Sequence, residues 1–162
     1  MRLSGKKIIF LDIDGVLNSQ DFYASDRYDR TKSRLEYESM LDPHAIKRLN
    51  EIIERTGAYL VLSSTWRLRF RSKYARTDIQ EFFSKAGIKG TFLGRTTTKW
   101  DRFRGNQIQQ WLDDQRGEPE SFIILDDDSD MVHLSQHLVH CKNQHGLTDE
   151  VVEKAITRLG EK

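Results

Sequence analysis

The stretch IIFLDIDGVLNS, Ile8 to Ser19, constrains the fold more than any other part of the chain. Ile8 to Leu11 is a short, continuous apolar run bounded by charge and glycine, which suits a strand buried on both faces, as in a parallel sheet. Two aspartates, Asp12 and Asp14, stand where that strand should finish. An ionised carboxylate taken out of water is costly unless something compensates it. Whatever fold the chain adopts must therefore supply a partner for Asp12 and Asp14.

The rest of the chain alternates strands with helices. DPHAIKRLNEIIERTG reads as a helix with Asp42 as N-cap, Pro43 at the first helical position, Ile46, Leu49, Ile52 and Ile53 on one face, and Gly57 as the stop. AYLVLSS reads as a second buried strand, followed by a helix over about Asp78 to Ala86 with Ile79, Phe82, Phe83 and Ala86 inward. A short strand near Thr91 to Leu93 precedes a helix from about Gly105 to Asp114 that buries Ile108, Trp111 and Leu112. SFIILDDDSD supplies another strand. A turn of helix through Met131 and Leu134, a strand at Leu138 to His140 and an amphipathic helix with Val151, Val152, Ala155, Ile156 and Leu159 complete the pattern. Such alternation predicts an α/β sandwich with a central, mainly parallel sheet. At 162 residues the expectation is one domain over 1–162, with a small insertion at about 18–41 that could form a flap or helical hairpin but not a separate lid.

Composition narrows the setting. The single cysteine, Cys141, excludes an internal disulfide and agrees with a reducing compartment. The N-terminal apolar run is too short for a signal sequence, and no segment approaches the roughly twenty apolar residues of a membrane span. The expected protein is soluble and cytoplasmic, with no membrane partner. The net charge of +1 hides an uneven distribution, with WRLRFRSKYAR basic and Asp113 to Asp130 acidic.

Open parallel sheets bind ligands at the carboxyl ends of their strands. There the first strand offers Asp12 and Asp14, the second Ser63 and Ser64, and the late strand Asp126, Asp127 and Asp128. Singly, DID reads as a turn and DDDSD as a helix N-terminus favoured by the dipole. Together, each after an aliphatic strand, they converge on one edge. So many carboxylates repel one another unless a hard divalent cation neutralises them, and magnesium is the expected cofactor.

At this point the chain resembles a known family. FLDIDGVLN is similar to the first motif of the haloacid dehalogenase (HAD) superfamily of phosphohydrolases, VLSS to its second and IILDDDSD to its fourth. SSTWR, RGNQIQQWL, ILDDDSDM and HCKNQHGLT are similar to the small HAD domains of Swiss Army Knife RNA repair proteins. The resemblance implies a Rossmann-like three-layer sandwich with a small or minimal cap, and a phosphatase mechanism. Asp12 would be the nucleophile that forms an aspartyl-phosphate. Asp14 would be the acid for the leaving oxygen and the base for water, kept protonated at the start by its neighbours. Gly15 would let the chain turn so that backbone N–H groups face the phosphate. Ser63, or Ser64 if the strand ends one residue later, would donate to a phosphoryl oxygen. Arg104, with Lys99 as the alternative, would hold the same phosphate. Asp12, Asp14, Asp126 and Asp127 would form the metal site, with Asp130 orienting from behind.

The stretch Trp66 to Arg76 interleaves Arg67, Arg69, Arg71, Lys73 and Arg76 with aromatics. It reads either as a solvated helix face or as a surface that tracks a phosphate backbone and stacks bases. His133, His137, His140 and His145 follow no tidy zinc-ligand spacing. The expected partner is a phosphorylated substrate, with oligonucleotide ends favoured. A small-molecule nucleotidase and a non-catalytic nucleic-acid-binding module of the same fold are the alternatives.

Overall fold

The aliphatic run forms strand β1 (Lys7–Leu11), and all four of Ile8, Ile9, Phe10 and Leu11 are fully buried. Alternate residues feed two separate cores, because successive strand side chains point to opposite faces. Ile9 and Leu11 join one cluster, Ile8 and Phe10 the other. The structure, a computed structural model, describes residues 1–33, 35–97 and 101–162. Lys99, the alternative basic residue of the third motif, lies outside the described residues.

Four further strands, β2 (Tyr59–Leu62), β3 (Phe92–Arg95), β4 (Ser121–Asp126) and β5 (Leu138–His140), complete one sheet in the order β3-β2-β1-β4-β5. Every neighbouring pair is parallel. β1 is central, so the chain leaves it toward β2 on one side and returns to β4 on the other. That reversal opens a crevice at the carboxyl ends of β1 and β4.

Helices cover both faces. On one, α3 (Pro43–Thr56), α4 (Ala75–Lys85) and α6 (Asp149–Leu159) contribute Ile46, Leu49, Ile52, Ile79, Phe83, Val152 and Ile156 to the larger core. On the other, α5 (Arg104–Asp113) contributes Ile108 and Trp111, and a 3-10 segment, Val132–His137, contributes Leu134. The predicted caps of α3 are present: the Asp42 carboxylate accepts the His44 N–H at 2.9 Å, and Gly57 donates its N–H to Ile53 O at 2.8 Å. α4 begins at Ala75 rather than Asp78, so the tail of the basic stretch belongs to that helix.

The insertion forms two single-turn helices, α1 (Gln20–Tyr23) and α2 (Arg30–Ser33), and a 3-10 turn at Tyr37–Met40. Phe22 is buried, with the Tyr23 and Tyr28 rings centred 5.7 and 5.4 Å from its own. Several contacts tie the insertion to the rest of the domain, among them a Glu38–Lys85 ion pair at 3.1 Å. Arg27 pairs with Asp42 at 2.5 Å, and Asp21 accepts from Gln144 and contacts His145 Nδ1 at 2.7 Å. Among the described residues, no helix is long and apolar enough to cross a membrane.

Candidate active site

Register brings the first two carboxylates together. Leu11 pairs with Leu125 across β1 and β4, and the Asp12 N–H donates to Leu125 O at 3.0 Å. Asp12 and Asp126 therefore leave adjacent strands side by side. With Asp127 they place three carboxylate oxygens within 4.8 Å of one another. Asp12 is 5% exposed and Asp126 1%. Burial, then the neighbouring Asp126, pushes the Asp12 carboxyl up to about 8, with Arg104 opposing. Burial raises Asp126 as well. The donor set is all oxygen, compact and over-charged, which fits a hard divalent cation.

Arg104, the first residue of α5, reaches into this cluster. Its Nη1 lies 3.2 Å from Asp12 Oδ1 and 2.8 Å from both Asp126 Oδ2 and Ser63 O. Burial alone would lower its affinity for the proton, but the two carboxylates outweigh that and raise it. α5 can start so close to the site because its second residue is Gly105: an added Cβ would fall 2.1 Å from Met131 O. The two serines separate cleanly. Ser64 caps the 3-10 segment Thr65–Arg69 by accepting the Trp66 N–H at 3.2 Å. Ser63 is fully buried, and its hydroxyl has no partner among the described residues.

Gly15 holds a left-handed φ of +81°, and a Cβ there would fall 2.5 Å from Asp127 Oδ2. Its N–H is directed not at open space but at Asn18 Oδ1, 2.9 Å away. Asn18 turns its other amide atom, Nδ2, to Asp14 Oδ1 at 3.0 Å. Trp66 Nε1 donates to the same carboxylate at 3.1 and 3.2 Å. The Asp14 carboxylate stands outside the three-carboxylate group, held instead by Asn18 and Trp66. Tyr23 stands near it: burial, then the Asp14 charge, pushes its phenol up to about 12. Asp130 accepts the Val132 N–H at 3.1 Å, shaping its own loop, whereas it is the Asp128 N–H that reaches Asp126, at 2.9 Å.

The basic stretch is not a uniform helix face. Trp66, Arg67 and Phe70 are buried. Arg69 lies over the Tyr37 ring at 3.9 Å, Arg71 donates to Leu68 O at 3.0 Å, and Lys73 sits 5.1 Å from the Tyr74 ring. Trp66 turns to Asp14, and Arg67, among the cations of the stretch, turns toward the site, where it lines a cleft with Arg102, Phe103, Arg104 and Gln107. The four histidines are dispersed: His133 faces Gln109, His137 Phe122 O, His140 Asp127 O and His145 Asp21.

Sequence reasoning did not single out Asn18, Gln107 or Asn143, which donates to Asp127 Oδ2 at 3.2 Å. For Asn18 the signal was available, since an amide four residues after Asp14 can fold back on the turn. Gln107 and Asn143 carried none, because an amide in a helix or a polar loop looks like solvated surface.

Comparison with known proteins agrees with this geometry. The profile of a family described as the HAD domain in Swiss Army Knife RNA repair proteins matches residues 8–152. That span holds every carboxylate of the cluster together with Ser63 and Arg104. Searches of curated proteins and of solved structures give no match. The chain belongs to the HAD domain family of Swiss Army Knife RNA repair proteins.

Proposed function

We propose that the chain is a magnesium-dependent phosphomonoesterase that works through an aspartyl-phosphate on Asp12 and removes terminal phosphates from nucleic-acid strands. The observation that carries this reading is the meeting of Asp12, Asp126, Asp127, Arg104 and the unpaired Ser63 hydroxyl at one sheet edge. A magnesium ion held by Asp12, Asp126 and Asp127 would supply the positive charge that keeps these acids ionised beside a phosphate.

In this reading an Asp12 oxygen attacks phosphorus, forming the aspartyl O–P bond while the bond from phosphorus to the leaving oxygen breaks. Asp14 delivers a proton to that oxygen, then takes one from the water that attacks the aspartyl-phosphate and frees inorganic phosphate. Asn18 and Trp66, which donate to the Asp14 carboxyl, hold it in place for this exchange. Ser63 Oγ and the Arg104 guanidinium are the donors placed for the charge that develops on the phosphoryl oxygens.

The nucleic-acid end is supported by the family's RNA repair setting and by the cleft beside the acids, which carries Arg67, Arg102, Arg104 and the Phe103 ring. The test is phosphate release from a phosphorylated oligonucleotide and from the matching mononucleotide, with and without magnesium, across a salt series. Wild type should release phosphate only with the metal and favour the oligonucleotide at low salt, and Asp12→Asn should be inactive while folded. Near-normal turnover by Asp12→Asn would refute the mechanism. Equal use of both substrates would make the protein a small-molecule nucleotidase, and binding without turnover would make it a binding module.

A further inference from the structure

Arg67 is 3% exposed and has no carboxylate partner among the described residues. Its hydrogen-bond partners are neutral: Nη1 donates to Ser64 O at 2.7 Å and Nη2 to Gln107 Oε1 at 3.3 Å, while the buried Nε–H has no partner among the described residues. Of its charged neighbours, the cations Arg104 and Arg95 oppose its charge and Asp12, which is not hydrogen-bonded to it, favours it less strongly; Arg95 Nη1 donates to Arg67 O at 2.8 Å. A buried guanidinium with no carboxylate hydrogen-bonded to it is costly, and an anionic ligand would complete it.

The surroundings show where that ligand would sit. Arg67 lines a cleft of about 710 Å³ with Arg102, Phe103, Arg104 and Gln107. That volume suits a nucleotide-sized group rather than a lone phosphoryl group. The cleft shares Arg104 with the acid cluster, so the two sites abut. Gln107 is itself fixed: its Nε2 donates to Asp101 O at 2.9 Å, which aims Oε1 at Arg67 and holds the guanidinium in place. Three acids also border the cleft, but each already accepts N–H groups. Asp101 takes those of Phe103 and Asn106, Asp128 that of Asp130, and Asp130 that of Val132. The Phe103 ring, on a residue 40% exposed, has the Arg102 guanidinium over it at 5.1 Å, an aromatic and cationic pair on which a base can stack.

We infer that Arg67, held by Gln107, forms a second phosphate subsite beside the acid cluster, which takes the neighbouring phosphate of a substrate that carries two. This rests on the phosphatase reading for the identity of the first phosphate. It narrows the substrate class to phosphomonoesters with a second phosphate one sugar away, as at the end of a nucleic-acid strand, and it makes Arg67 rather than Arg69, Arg71 or Lys73 the contact that reads it.

The experiment compares kcat/KM for a nucleoside 3′,5′-bisphosphate with that for each corresponding monophosphate, in wild type and in Arg67→Gln. Wild type should favour the bisphosphate by on the order of tenfold, the scale of one charge-assisted hydrogen bond. In Arg67→Gln the ratio should fall toward one. No bisphosphate preference in wild type overturns the inference. So does an equal loss on all substrates in the variant, which would assign Arg67 to the scissile phosphate. Should Arg67→Gln not fold, Gln107→Leu, which keeps the charge but frees its direction, should lower the same ratio, and an unchanged ratio overturns the inference. If no substrate turns over, the phosphatase reading fails by itself. Calorimetry on wild type then decides the subsite, with tighter binding of bisphosphate than of either monophosphate supporting it and equal affinities overturning it.

Discussion

Trp66 Nε1 lies 3.1 Å from Asp14 Oδ2, so the first residue of the basic stretch serves the second aspartate of the DID motif rather than a nucleic-acid base. The indole also packs edge-on against Phe82, with ring centroids 6.2 Å apart, and is 5% exposed. Packing holds the donor still, and the donor holds Asp14. Trp66→Phe should keep most of the packing and lose the N–H. The expected result is a loss on the order of tenfold in kcat for alkyl phosphates, the scale of one hydrogen bond to a charged group. Activated aryl esters, whose leaving oxygen needs little protonation, should lose much less. Equal losses on both ester types would remove Asp14 from leaving-group chemistry.

Gly15→Ala should damage the site twice over. The backbone sits at φ +81°, and the new methyl would press on the Asp127 carboxylate at 2.5 Å. Left-handed strain costs about 1–2 kcal/mol, which a thermal melt will read. Displacement of Asp127 should raise the magnesium concentration needed for half-maximal activity. An unchanged magnesium requirement would mean that Asp127 is not a ligand.

Removing magnesium with a chelator should stop turnover, and Asp126→Asn and Asp127→Asn should each weaken its apparent affinity. Arg104→Ala carries a distinct signature. That variant leaves Asp12 and Asp126 with no fixed cation, and removing one partner of a buried pair typically costs about 3–5 kcal/mol. Its melting temperature should therefore rise more on adding magnesium than that of wild type. Equal magnesium shifts in both proteins would show that the metal binds elsewhere.

Asp42 sets a pH window away from the acid cluster. Burial alone would raise its carboxyl, but hydrogen bonds from Arg27 and the His44 N–H outweigh burial and hold it below its ordinary value of 3.8. A lowered folded pKa contributes stability that is present above 3.8 and disappears as pH falls through the folded value. Asp42→Asn keeps a competent N-cap and loses the Arg27 pair. It should cost about 0.5–1 kcal/mol at neutral pH, given the exposure of Arg27, and nothing in strong acid. Denaturant melts at the two pH values check this.

The sheet was legible because strands buried on both faces must be continuously apolar, as Ile8–Leu11, Tyr59–Leu62 and Phe122–Leu125 are. Helix α3 was legible because Asp42, Pro43 and Gly57 punctuate it. The N-terminus of α4 was not, since no side chain caps it and its first residues continue the basic stretch without a break. In the site, the strand-end acids could be read from position alone. The direction of a side chain could not: Asp14 turning to Trp66, and Arg67 parting company with Arg69, depend on a 3-10 turn that puts neighbours in sequence on different sides.

Because β1 pairs with β4, the carboxylate cluster joins two segments that are far apart along the chain. Asp12 is synthesised before Asp126 and Asp127, which follow only after β2, β3 and α5 have been made. A growing chain that has already laid β1 against β2 carries one aspartate at the sheet's unfinished edge, not three. The acidic cage closes only when β4 docks there, so capture of a divalent ion would coincide with completion of the sheet rather than precede it.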